Sequence, residues 1–198
     1  LMWMTAALYR LFGISEFWAR FVAALSGIGL VVTTYLLGAF AFGKRVGVLA
    51  ALILMTCYHF VSFSRFGTME ITLTLFAYLA IYGYLHLSDE NDRWWYLVWL
   101  AVALGLLTKG AGGLIAPVVL LLALILDQRV KSAIRSRNFW LGFLLAIVLV
   151  APWHAIMYAW YGRVFLDEYI GYHVIARATR ALEGHPSSYL YYIGKIID

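Results

Sequence analysis

Four stretches of this chain run the length of a membrane crossing without a single Asp, Glu, Lys or Arg: Phe21 to Gly43, Val46 to Ser64, Ile71 to Ser88 and Phe139 to Tyr158. A bilayer core about 30 Å thick takes roughly 20 apolar residues in a helix. Backbone polar groups in hydrocarbon must be satisfied within the segment, so such runs fold as helices or as strands of a closed barrel. Barrel strands would alternate apolar and polar residues with a period of two, and these runs do not. Charged residues make up 13% of the 198-residue chain, about half the share in a soluble domain. The fold class is therefore an all-α, polytopic membrane protein. The second and third runs meet at Ser64-Arg65-Phe66-Gly67-Thr68-Met69-Glu70, which sets an Arg and a Glu five residues apart at a membrane face. Ionisable groups in that position are functional candidates by default.

Six spans are expected, at about 17–43, 46–63, 70–87, 94–108, 111–126 and 139–158. Leu1, Met4, Leu8, Leu11 and Phe12 recur at helical spacing before Gly13, which predicts a juxtamembrane helix lying at the interface. Ser15 and Glu16 begin the next helix in a capping position. Trp94 and Trp95 open the fourth span as an interfacial belt would. Residues 1–160 are thus expected to form a partial transmembrane domain, and 161–198 an amphipathic segment outside the hydrocarbon. The chain opens on Leu1 without a charged leader and stops at Asp198, and it reads as an internal piece of a longer protein.

The net charge of +5 is dispersed over loops, which argues for membrane orientation and against a nucleic-acid partner. Lys44, Arg45, Arg93 and the basic loop with Arg129, Lys131, Arg135 and Arg137 fall on one side. By the positive-inside rule that side is cytoplasmic. Arg65, Glu70, Lys109, His154, Arg163, His173, Arg177, Arg180 and His185 then collect on the extracytoplasmic face. Cations there suit an anionic phosphate, and Glu70 with a His suits an acceptor group or a divalent metal. Each also has a plain structural role. Glu70 complements the positive end of its helix, Arg65 pairs with it or snorkels to headgroups, and His154 packs with a hydrogen bond. Cys57, the single cysteine, excludes a disulfide framework. No phosphate-binding Gly loop, nucleophile elbow or HExxH is present. Gly110-Ala111-Gly112-Gly113 reads as close helix packing.

Taken in order, LFGISEFWARFVAALSG, FGKRVGVLAALIL, SRFGTMEITLTLF, WWYLVWLAVALGLLTKGAGGLIAP, APWHAIMY and EGHPSSYLYYI resemble the GT-C membrane glycosyltransferases. The similarity is to the protein mannosyltransferase-like branch, family 39, which includes the bacterial aminoarabinose lipid A transferases, and it runs along essentially the whole chain. The resemblance implies transfer of a sugar from a polyprenyl-phosphate carrier to an extracytoplasmic acceptor, in a multi-pass protein of the bacterial inner membrane. It implies an acidic residue, usually Asp, where this chain has Glu70. It matches Thr108-Lys109-Gly110, Pro152-Trp153, His185-Pro186 and Tyr191-Tyr192. The family's acidic pair in the first external loop would lie upstream of Leu1, so the chain alone is expected to be inactive.

The expected site is Glu70 as a catalytic group, Arg65, Lys109 and Arg177 on the donor phosphate, and His185, His173 and Tyr191 on substrate or a divalent metal. The alternative reading is a piece of a polytopic transporter, with Arg65 and Glu70 lining a path; a non-enzymatic membrane scaffold is a third. Sugar, acceptor and metal dependence are not encoded in these residues.

Overall fold

The computed structural model describes residues 1–88 and 91–176, apart from the side chains of His173 and Val174. The described residues are helical throughout, with no strand among them. The chain divides into two units, Leu1–Val150 and Ala151–Asp198.

In the first unit α1 spans Met2–Phe12 and α2 Glu16–Phe42. Ser15 caps α2: its backbone is extended and its hydroxyl accepts from the Trp18 amide at 3.4 Å. Gly43, at φ 94°, ends α2 and turns the chain into α3, Lys44–Thr56. Small residues let the α2–α3 hairpin close. A Cβ built on Gly47 would sit 2.6 Å from the Tyr35 carbonyl oxygen, and one on Gly38 would sit 2.9 Å from Gly47 Cα.

The expected second span is broken. Helix α3 stops at Thr56, Cys57 adopts an extended backbone, and α4, Tyr58–Arg65, leaves at a bend of 65°. No Pro or Gly lies at the break. The Thr56 hydroxyl donates to the carbonyls of Leu52 and Ile53, a local competition with the helical ladder that bends helices.

Helix α5, Met69–Leu85, packs on α2 through buried hydroxyls: Thr72 Oγ1 donates to Ser26 Oγ at 2.9 Å, and Ser26 in turn donates to the Val22 carbonyl at 2.8 Å. Helix α6, Trp94–Lys109, follows, then a tight turn of helix at Gly110–Leu114 and α7, Ile115–Leu126. Residues 94–126 form a continuous helical run, yet the run folds back on itself. Trp95 and Leu124 line one cavity, whereas a straight helix would hold them about 44 Å apart. The reversal needs Gly113, where a Cβ would lie 2.5 Å from the Leu106 amide nitrogen. Tyr84, Trp95, Val98, Val102, Leu120 and Leu124 form the centre of the core between α5, α6 and α7.

The return end is tied by polar groups. Tyr84 Oη donates to Asp127 at 2.6 Å, and Arg129 donates to the Leu87 carbonyl at 3.2 Å. Asp92 accepts from Ser136 at 2.7 Å and from Asn138 at 2.6 Å, fixing the start of α9, Arg137–Tyr161, beside α6. Helix α8, Val130–Arg135, lies between.

Among the described residues three helical runs are long and apolar enough to cross a membrane: Glu16–Phe42, Trp94–Leu126 and Arg137–Tyr161. The bent α3–α4 pair makes a fourth if it counts as one span, and Met69–Leu85 is shorter at 17 residues. The six crossings expected from sequence would need the shorter helices to cross as well. The run that sequence divides at Lys109 is made of arms of 16 and 12 residues, each below the roughly 20 needed.

The second unit contains the last turns of α9, a short α10, Arg163–Leu166, and a wide-turned helical segment, Asp167–Ala176. Trp153, His154, Phe165 and Tyr169 form an aromatic cluster there, with His154 Nε2 3.1 Å from Tyr169 Oη.

Candidate active site

The loop between α4 and α5 is pinned to α2 by one residue. Gly67 has φ +70°, and a Cβ on it would come 3.0 Å from the Ala19 carbonyl oxygen. A left-handed backbone is cheap only for glycine, so the turn brings its neighbours against α2 at this point. Thr68, in extended conformation, then starts α5 and places Glu70 in the first turn. Lys109 is the last residue of α6. Because α5 and α6 are antiparallel arms of one hairpin, the start of the first meets the end of the second. Lys109 Nζ donates to Glu70 Oε1 at 2.8 Å. The carboxylate complements the positive end of α5 and the ammonium the negative end of α6.

The pair borders a cavity of about 310 Å³ lined by Leu1, Met2, Thr5, Ala19, Gly67 to Glu70 and Lys109. One turn further along α5 begins an apolar groove of about 280 Å³, lined by Leu73, Ala77 and Ile81 of α5, Val102 and Gly105 of α6, and Gly112, Gly113, Ile115, Ala116 and Val119 beyond. A Cβ on Gly112 would meet the Lys109 alkyl stem at 3.4 Å and Leu73 at 3.5 Å, so the ammonium stem runs along the rim of the groove. The arrangement offers a cation and a carboxylate at the mouth and hydrocarbon-like walls behind.

The ion pair expected between Arg65 and Glu70 is not the one formed: Lys109, 39 residues away, takes the carboxylate. Arg65 ends α4, is exposed, and makes no ion pair among the described residues. His173 lies in the Asp167–Ala176 segment, and its side chain is outside the description. Arg177, His185 and Tyr191 fall outside the described residues. Among the described residues no three His, Cys, Asp or Glu side chains cluster as a metal would require. Glu70 is the one carboxylate lining the 310 Å³ cavity, and a cation already occupies it. These residues do not by themselves fit a metal.

Sequence reasoning missed two things here. The Gly67 contact with α2 was unsigned, because a Phe-Gly-Thr turn says nothing of what lies across from it. The polar ties at the other end join the expected third span, and the loop after it, to a segment read only as loop: Tyr84 to Asp127, and Asp92 to Ser136 and Asn138. Their signal was a tyrosine at the last turn of an apolar helix.

A family model described as dolichyl-phosphate-mannose-protein mannosyltransferase matches residues 1–156. Two uncharacterized proteins of Aquifex aeolicus (strain VF5) are 28% identical over 85% of this chain and 30% identical over 97% of it. An undecaprenyl phosphate-alpha-4-amino-4-deoxy-L-arabinose arabinosyl transferase of Shewanella sediminis (strain HAW-EB3) is 27% identical over 79% of it. The chain spans 34%, 43% and 30% of the lengths of these three relatives, respectively. Among solved structures, ArnT from Cupriavidus metallidurans bound to undecaprenyl phosphate superposes over 99% of this chain and 37% of its own, with a TM-score of 0.82 at 25% identity. The apo form of the same protein gives a TM-score of 0.77 at 24% identity over 36% of its length.

Proposed function

This chain belongs to the dolichyl-phosphate-mannose-protein mannosyltransferase family, and from that premise we propose that it is part of a membrane glycosyltransferase using a polyprenyl-phosphate sugar donor. The observation that carries the reading is the Glu70–Lys109 pair at the mouth of an apolar groove. A lipid-linked sugar phosphate needs the same two things together, a cation for the phosphate and a dry channel for the chain. ArnT, the structural relative, was crystallised with undecaprenyl phosphate, which supports a donor of that class here.

In the proposed reaction an acceptor oxygen forms a bond to the anomeric carbon as the bond from that carbon to the phosphate oxygen breaks. The acceptor proton passes to a base, and the polyprenyl phosphate leaves with the electron pair. Lys109, with Arg65, stabilises the charge on the leaving phosphate. Glu70 positions or deprotonates the acceptor hydroxyl; the parts expected of Arg177, His173, His185 and Tyr191 rest on the sequence alone. Any divalent metal would draw ligands from beyond the described residues. The acceptor is a lipid, a glycan or a protein. We place this end of the bundle on the extracytoplasmic face of the bacterial inner membrane, with α6 and α7 as separate arms of a six-pass topology.

The transporter alternative gains nothing from the interior. Among the described residues the buried polar side chains of the first unit are the hydroxyls Ser26, Thr33, Thr72 and Thr108, and each is hydrogen bonded within the bundle. The test is sugar transfer by the full-length protein from a polyprenyl-phosphate donor. The Glu70→Gln, Lys109→Ala double variant is expected to lose on the order of 10²-fold or more in turnover, the scale of one lost transition-state contact. Unchanged turnover overturns the site.

A further inference from the structure

The far end of the α5–α6 hairpin carries a second cavity, about 530 Å³, which the transfer reaction does not use. Among the described residues its lining holds three cations, Arg129, Lys131 and Arg135, and one carboxylate, Asp92. That carboxylate is committed elsewhere: its two oxygens accept from Ser136 and Asn138, neither of them charged. The neighbouring Asp127 is likewise held by a neutral donor, Tyr84. Arg129 is fixed by its bond to the Leu87 carbonyl. Lys131 and Arg135 are exposed and make no ion pair among the described residues. Among the described residues the acids are thus satisfied without the cations, and the cationic charge of the described lining faces the cavity.

The turn into this cavity is built at a conformational cost. Gln128 has φ +57°, a left-handed backbone taken by no other non-glycine residue described, and its side chain joins the lining. Below the cations the walls are apolar, with Leu87, Trp95 and Leu124. Near lining residues along the chain, Leu126, Ile134 and Trp140 are 79%, 52% and 50% exposed. Exposed leucine, isoleucine and tryptophan at the polar end of a helical bundle suit the level where headgroups meet acyl chains.

We propose that this cavity is a binding site for the headgroup of an anionic phospholipid, with Lys131 and Arg135 on the phosphate, Arg129 behind them, and the hydroxyls of Ser132 and Ser88 within the lining for the glycerol. A basic pocket between transmembrane helices suits such headgroups. A soluble phosphate ester shares the charge but has no use for the apolar walls. The site is separate from the Glu70–Lys109 end, at the opposite end of α5, about 25 Å of helix away.

The experiment uses the full-length protein in nanodiscs of phosphatidylcholine doped with phosphatidylglycerol, with bound lipid counted by native mass spectrometry. Phosphatidylglycerol retention is expected to fall by at least about tenfold in a Lys131→Ala, Arg135→Ala double variant, the loss of a charge-assisted contact. A Lys44→Ala, Arg45→Ala variant removes the same charge from a different turn at this end and is expected to retain the lipid. Equal loss in both variants would mean bulk attraction to the surface and would overturn the site. Saturable protection against heat by sn-glycerol 3-phosphate alone, equal to that by the lipid, would overturn the lipid assignment. The two lysine–arginine variants should unfold at the wild-type temperature in pure phosphatidylcholine, since neither pair is buried. The readout is lipid, so it stands or falls apart from sugar transfer.

Discussion

Glu70 and Lys109 are each 44% exposed, so their mutual attraction stabilises the fold by about 0–1 kcal/mol at most. A pair so weakly held is readily opened by a ligand that offers its own anion to the ammonium and its own hydroxyl to the carboxylate. Asp92 is a different case. Donors on Ser136, then Asn138, hold its carboxyl below the usual carboxylate range. A depressed pKa in the folded state contributes stability above the unfolded value, and that contribution is lost as pH falls through the folded pKa. The full-length protein in detergent is therefore expected to lose Tm below about pH 4, and the gap between wild type and Asp92→Asn to shrink over the same interval. A constant gap from pH 5 to pH 3 would show that the carboxylate is not what holds the start of α9.

At the scale of elements, the bundle depends on backbone approaching backbone. Gly38 and Gly47 bring α2 and α3 to a separation at which a Cβ would meet main-chain atoms at 2.9 and 2.6 Å. Main chain cannot rotate away as a side chain can, so Gly47→Leu must push the helices apart. Overpacking of this kind costs about 1–3 kcal/mol, and a lower Tm with loss of the folded peak in gel filtration is the expected result. The hairpin reversal at Gly110–Leu114 follows the same rule. The break at Cys57 does not: no glycine or proline lies there, which is why the sequence reads through it as one span.

For the molecule as a whole, the first unit has two chemically unlike ends. Gly67, Glu70 and Lys109 mark one; Asp92, Arg129 and Lys131 mark the other. Lys44 and Arg45 follow α2 at this second end, where Phe40 packs on His86. If the first end is extracytoplasmic, a membrane-impermeant maleimide added to spheroplasts will label a Phe66→Cys variant and spare Ser132→Cys, in a background with Cys57→Ala and no other thiol. Phe66 is exposed and outside the ion pair, and Ser132 is exposed on α8. The reverse pattern would invert the protein and refute the assigned face.

Uncharged runs of membrane length were sufficient to specify helices, because a backbone in hydrocarbon has few other ways to satisfy its polar groups. The dispersal of Lys and Arg over loops specified which turns share an end. Ser15, Gly43 and Lys109 stood in the sequence as a cap, a stop and a charged terminus. What composition could not supply was contact across the chain. Arg65 is near Glu70 in sequence, yet Lys109 holds it, because the antiparallel return of α6 decides which cation reaches the first turn of α5. Nor could local reading tell a 33-residue helical run from a folded-back hairpin, since both have the same hydropathy and differ only in what Gly113 lies against. Chain chemistry determined the helices and their ends; which side chains face each other was decided by close packing, and packing is settled only when the helices meet.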